Sequence, residues 1–331
     1  MNKKIFWFLI PIITFVLAGE SFFRIRHFQV VAQERKSSDS ELKHINQLGF
    51  RGPEVSPKIG PNTIRLTFIG ESTTYCPLES IDSLTWPAIV CRKLHERYPK
   101  LNFEYVNCSM PGNLLSDINR RGLYELRKVE HNVIIIMQGF NDLSTSSKKK
   151  AESMGLKFSN QKSKSLLEQH SELYCWVQKN FSITLLQLKE LAGKNQALVD
   201  IGDISKSYDH EFEYLVGATD SISSLKIIMT LSSKVHGLKN IFQKIRNGEV
   251  ILYHFPFLGI KGFETGIAAY NNILRTYKDS NTYILENSLT GNDNVYFDAL
   301  HYNSKGNTLI AELIVSQLTQ LEQFKSLIKT L

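Results

Sequence analysis

Arg65-Leu66-Thr67-Phe68-Ile69-Gly70-Glu71-Ser72-Thr73-Thr74 is the stretch that decides the fold. A short apolar run, Leu66 to Ile69, stops abruptly at Gly70. Apolar runs of this length bounded by glycine read as buried strands. Gly70 has no Cβ and so lets the backbone turn sharply. The strand would then deliver Ser72 to its carboxyl end, which is where open α/β sheets bind ligands. A serine there is a candidate nucleophile. The competing reading is that Ser72 and Thr73 cap the following helix.

Working outward, the same rhythm recurs. A helix is expected over 86–98 and a strand over 102–107. The loop Cys108-Ser109-Met110-Pro111-Gly112-Asn113 then leads to a helix over 115–128. The run Val133-Ile134-Ile135-Ile136-Met137 has the composition of a strand buried on both faces, and it breaks at Gln138-Gly139-Phe140-Asn141-Asp142. Strands that each lead through a polar loop into a helix imply a parallel sheet covered by helices. Residues 144–245 interrupt the alternation and read as a helical cap inserted over the site, with helices near 166–179, 185–191 and 221–245. A hundred-residue excursion is not expected to be structureless. The alternation resumes with strands at 249–255 and 282–285, a helix over 266–279, and a closing helix over 305–322. That last helix carries Leu309, Ile310, Leu313, Ile314 and Leu318 at the spacing of one buried face.

The chain has 331 residues, of which 42% are hydrophobic and 21% charged, the composition of a globular protein. Its net charge is +7, from 39 Lys+Arg against 32 Asp+Glu. No zinc-knuckle, RNP or helix-turn-helix signature supports a nucleic-acid partner. The positive balance remains compatible with an acidic polymer or an anionic surface. None of the cysteines, Cys76, Cys91, Cys108 and Cys175, forms a Cys-x-x-Cys pair, which argues against a zinc or thioredoxin-like motif. A Cys76–Cys108 disulfide and structural buried thiols are both open. At the amino end, Lys3 and Lys4 precede an uncharged run over 5–19. Residues 1–27 are read as an uncleaved membrane anchor that leaves the rest of the chain outside the cytoplasm, with a cleaved signal peptide as the alternative. Residues 28–63 form a stem, in which Asn46 to Gly52 is an ordered patch that packs Phe50 on the domain edge.

A serine hydroxyl is a poor nucleophile until a base takes its proton, and the base needs a third group to orient it. Asp298 and His301 lie three residues apart in a turn-like segment before the last helix. That spacing can place Asp298 on Nδ1 of His301 while Nε2 faces Ser72. Acyl chemistry also needs donors aimed at a developing oxyanion. Gly112 can offer a backbone N–H and Asn141 a side-chain amide. Taken singly, Gly112 is also a turn glycine, Asn141 a helix cap and His301 a surface residue.

Gly-Glu-Ser-Thr, Pro-Gly-Asn, Gly-Phe-Asn-Asp and Asp-Ala-Leu-His occur in this order, each after a strand-like run. Together they resemble the four sequence blocks of the SGNH (GDSL-type) hydrolase family over 64–142 and 249–322. The Gly-Phe-Arg-Gly stretch behind an apolar amino end is similar to membrane-anchored bacterial members. The first block departs from the family pattern in Glu71 and Thr73. The resemblance implies a flavodoxin-like three-layer α/β/α domain with a parallel sheet of about five strands. It also implies Ser72 as nucleophile, His301 as base with Asp298 behind it, and an oxyanion hole from Ser72, Gly112 and Asn141. The implied activity is ester hydrolysis through an acyl-enzyme, with O-acylated glycans as substrate class and no metal or organic cofactor. Acyl transfer at the same site and non-catalytic glycan binding are the alternatives. Tyr75, Phe140, Phe255, Phe257 and Tyr302 lie beside the motif loops, as pocket lining or as core.

Overall fold

Phe68 and its neighbours form strand β1 (Thr63–Gly70), every residue of which is buried. The structure is a computed structural model, and it describes residues 11, 14–26, 28–29, 43–156, 170–194, 197–223 and 225–331. Four more strands flank β1: β2 (Asn102–Ser109), β3 (Val133–Met137), β4 (Leu225–Met229) and β5 (Thr282–Leu285). They pair in the order β2-β1-β3-β4-β5, all parallel. This is the flavodoxin-like order, with its switch point between β1 and β3. The last residue of β1, Gly70, is in register with Ser109 of β2 and Met137 of β3. Ser72 therefore emerges at the switch point, beside the loops that follow β2 and β3.

The helices, in chain order, are α1 (Ser72–Tyr75), α2 (Trp86–Arg97), α3 (115–126, with a π-turn at Ile118–Gly122), α4 (Phe140–Ser153), α5 (Glu172–Leu191) and α6 (Ile201–Asp220). They continue as α7 (Ile241–Asn247), α8 (Glu249–His254), α9 (Gly259–Thr276), α10 (Ser304–Gln320) and α11 (Glu322–Thr330). Helices α2 and α10 pack together as one outer layer, and α3, α4, α6 and α9 pack as the other. Covering both faces explains why β1 and β3 can be unbroken apolar runs. Trp86 opens α2 as a fully buried ring set edge-on to Phe68, with centroids 5.0 Å apart, and its Nε1–H donates to Thr73 O at 3.0 Å. The first turn after the strand is thereby tied to the helix layer.

Two expectations need correction. The segment 249–255 is helix α8 rather than a strand. The fourth strand is Leu225–Met229, inside the segment read as cap. Helices α4 and α6 likewise belong to the layered domain, so 144–245 is not one insertion; the excursion outside the layers centres on α5. The reason is packing: Val250, Ile251 and Leu252 make a short apolar run, which periodicity cannot assign to strand or helix. The structure also decides between the two cysteine readings: Cys76 and Cys108 are separate buried thiols, with no bridge between them. Cys76 instead points at the carbonyls of Thr73 and Thr74.

The stem is partly domain. Leu48, Phe50 and Val55 are buried in the main core, so Phe50 packs as expected. Residues 14–26 are helical apart from the sheet domain, and Glu20 accepts hydrogen bonds from Ser171 Oγ and from the N–H groups of Glu172 and Leu173 at the start of α5. Residues 1–10, 12–13 and 27 of the expected anchor, and residues 30–42, lie outside the described residues, as does the start of the helix expected at 166–179. Among the described residues no helix is long and apolar enough to cross a membrane.

Candidate active site

Gly70 closes β1 against its neighbour strand. A Cβ there would stand 2.7 Å from Met137 O, so the residue is demanded by close approach rather than by an unusual φ. The chain turns into α1, which holds Ser72 on its first turn. Ser72 Oγ lies 2.9 Å from His301 Nε2. His301 Nδ1 lies 2.8 Å from Asp298 Oδ2. The three side chains expected from two separate blocks thus form one chain of contacts. The His301 and Asp298 side chains are 22% and 21% exposed, and Ser72 is half-buried beside them.

The loop that carries the pair is built to hold it. Asp298 Oδ1 accepts from the N–H groups of Leu300 and His301, each at 2.8 Å. One carboxylate oxygen therefore shapes the turn and the other orients the imidazole. Phe297 N–H donates to His301 O, and Asn303 then caps α10 by accepting from Gly306 N–H. Burial alone would raise the Asp298 pKa. The hydrogen bond and charge of His301, with the two N–H donors, outweigh it and hold the carboxyl below its ordinary value. An ionised Asp298 is what a base-orienting partner requires.

The candidate oxyanion donors come from the loops after β2 and β3. Gly112 takes φ +82°, and nothing lies within 4 Å of where its Cβ would stand, so its backbone faces open space. Asn141 is the second residue of α4, and its Nδ2 donates to Asn113 O at 3.2 Å, which joins the two loops. Gln138 reinforces the joint by donating from Nε2 to Asn113 O at 3.1 Å and to Asp142 Oδ2 at 2.8 Å. Asp142 Oδ1 accepts from Leu115 N–H at 3.0 Å.

Glu71 has a role that the sequence reading missed. Its side chain is fully buried and accepts from the N–H groups of Gly139, Phe140 and Asn141, at 3.2, 2.8 and 2.8 Å. It caps α4 from the residue before the nucleophile, so the serine turn and the Asn141 turn are one rigid unit. Burial, and secondly the charge of Asp142, push its pKa up to about 8 against the pull of those donors. Burial likewise pushes Asp142 up to about 6. The signal in the sequence was an acid beside the serine; its partner, a helix start 68 residues or more away, was not visible. Among the aromatic residues singled out, Phe140, Phe255, Phe257 and Tyr302 are buried core, while Tyr75 is half-buried beneath the guanidinium of Arg51.

Neither a family model nor a curated protein matches the chain. Among solved structures, it is similar to an alpha/beta hydrolase enzyme from the metagenome of Lake Arreo, at 14% identity and TM-score 0.45, covering 76% of this chain and 94% of the other. It is also similar to the acetyl xylan esterase AlAXEase, at 14% identity and TM-score 0.43, covering 77% and 99%. A member of the lipolytic protein G-D-S-L family from Veillonella parvula DSM 2008 is similar at 13% identity and TM-score 0.42, covering 78% and 100%. Likenesses with scores this low carry no argument about chemistry, which rests on the geometry of Ser72, His301 and Asp298.

Proposed function

We propose that the chain is a serine esterase of the SGNH type that works through an acyl-enzyme. The observation that carries this reading is the relay Ser72 Oγ, His301 Nε2, His301 Nδ1, Asp298 Oδ2, with contacts of 2.9 and 2.8 Å. Ser72 Oγ attacks the ester carbonyl carbon as its proton moves to His301 Nε2. The carbonyl oxygen becomes an oxyanion, held by the N–H groups of Ser72 and Gly112 and the Asn141 amide. Its collapse breaks the bond to the alcohol oxygen, which leaves with the proton from His301. Water then gives a proton to His301 Nε2 as its oxygen attacks the acyl carbon; collapse breaks the bond to Ser72 Oγ, which takes the proton back from His301, and the acid leaves.

The substrate class is an O-acylated glycan outside the cytoplasm, and the chain is held at the membrane by its first residues. The uncharged run over 5–19 behind Lys3 and Lys4 supports that placement. Alkaline extraction of membranes, with sequencing of the mature amino terminus, tests it; a soluble chain that begins after the apolar run would refute the anchor.

The enzymatic reading is tested by treating the full chain in detergent micelles with a fluorophosphonate probe and mapping the labelled peptide. Labelling at Ser72 that is lost in Ser72→Ala and His301→Ala is the expected result. A folded chain that takes no label and turns over no ester would overturn it. Product analysis with an acceptor glycan present separates hydrolysis from transfer, because hydrolysis yields free acid in place of acylated acceptor.

A further inference from the structure

Beside the oxyanion loop lies a cavity of about 430 Å³, within the size range of ligand sites, about 300–1,000 Å³. Phe50, Ser109, Met110, Asn113, Asp117 and Arg121 are among its walls. Met110 and Asn113 flank Gly112 in the chain, so the cavity shares the loop that carries this candidate oxyanion donor. One wall comes from Phe50, part of the stretch that the sequence reading placed in the stem.

The walls are built rather than incidental. Arg51 is fully buried and holds its stretch to the domain through Asp82 Oδ1 at 2.6 Å and the carbonyls of Tyr75, Cys76 and Glu79. Gly49 takes φ +77°, and a Cβ on it would stand 3.1 Å from Arg121 Nη2. Glycine there both makes the turn and leaves room for the guanidinium. The floor is the π-turn Ile118–Gly122, a distortion of the kind often found at functional sites.

The charges in the cavity do not cancel. Asp117 accepts from Leu114 N–H and pairs with Arg120 Nη2 at 3.2 Å. Among the described residues Arg121 has no ion-pair partner, and its fork of donors is free to take an oxyanion.

We propose that this cavity is a substrate subsite in which Arg121 binds a carboxylate or phosphate carried by the glycan whose ester reaches Ser72. The proposal deepens the esterase reading and rests on it for the identity of the ligand as substrate. An anionic glycan also suits the chain's net charge of +7.

The test measures binding without turnover. Full-length Ser72→Ala protein in detergent is titrated calorimetrically with trigalacturonate, with glucose 6-phosphate and with neutral xylotriose. At least one anionic sugar is expected to bind tenfold or more tightly than xylotriose, and which of the two does so identifies the group. Adding Arg121→Gln should abolish that preference, and Arg121→Lys should restore part of it. Arg121 is exposed, so the melting temperature should stay unchanged and report folding. Equal binding of charged and neutral sugars, or a preference that survives Arg121→Gln, would overturn the subsite. Failure of the esterase reading shows separately, as absent fluorophosphonate labelling of the wild-type serine.

Discussion

The loops at the carboxyl edge of the sheet and the helical excursion around α5 belong to one chain but are held by different physics. At the sheet edge, buried polar groups tie distant turns together: Glu71 caps α4, Asp298 shapes the His301 turn, and Arg51 gathers three carbonyls. Around α5 only Ile183 and Leu186 of the large apolar side chains are buried, and many of the others face outward. Phe181 is 69% exposed, Leu188 57% and Trp176 48%. The helix at 14–26 touches it through Phe23 on Trp176 and through the Glu20 cap. A reacting constellation needs fixed geometry, and hydrogen bonds to backbone supply direction that apolar contact does not. The excursion carries no such constraint, and its surface is free to meet something else.

That contrast can be broken or sharpened. The largest effect is expected for Asp298→Asn, which keeps the shape but offers His301 the wrong partner; kcat for an ester substrate should fall by about 10⁴-fold. A loss below tenfold would mean that the relay does not govern the rate. Trp86→Ala should cost about 3–5 kcal/mol in denaturant unfolding, because it empties a fully buried site against Phe68 and frees Thr73 O. Asn141→Ala should lower kcat by about 10²–10³-fold with little change in KM, the signature of an oxyanion donor. A change confined to KM would assign Asn141 to ground-state binding instead.

Glu71→Gln probes the buried cap through pH. The Glu71 pKa is raised from 4.5 to about 8 in the folded chain, so the native state holds a proton that the unfolded chain releases earlier. Its contribution to stability is complete below pH 4.5 and is lost as pH rises through about 8. Relative to Glu71→Gln, the parent should lose stability across that window, read from urea midpoints at successive pH values. Parallel profiles would show that the carboxyl is ionised throughout. The smallest effect is expected for Phe181→Ser, within about 0.5 kcal/mol of the parent. A larger loss would show that α5 is packed in solution and would erase the contrast.

Much of the site was legible because its parts are local. A serine after a glycine-bounded apolar run, an Asp three residues before a His, and an Asn opening a helix are each short-range patterns. The structure brings Ser72, His301 and Asp298 together as that order implied. Gly112 and Asn141 are joined through Asn113 O. Leu225–Met229 was hidden because Lys226 interrupts its apolar run; in the fold that lysine is buried and paired with Asp220. The run at 249–255 was misread for the opposite reason: it looks apolar enough for a strand, yet it packs as a short helix behind α9.

The sequence by itself determined the chemistry on offer and the alternation of strand and helix, because both depend on neighbours along the chain. Only the tertiary structure decided which apolar run completes the sheet. It also turned Glu71 from a variant letter in a motif into a cap on the Asn141 turn, and made Phe50 a wall of a cavity with Arg121. Each of these pairs residues far apart in the chain, and only the backbone's path across the sheet sets that proximity.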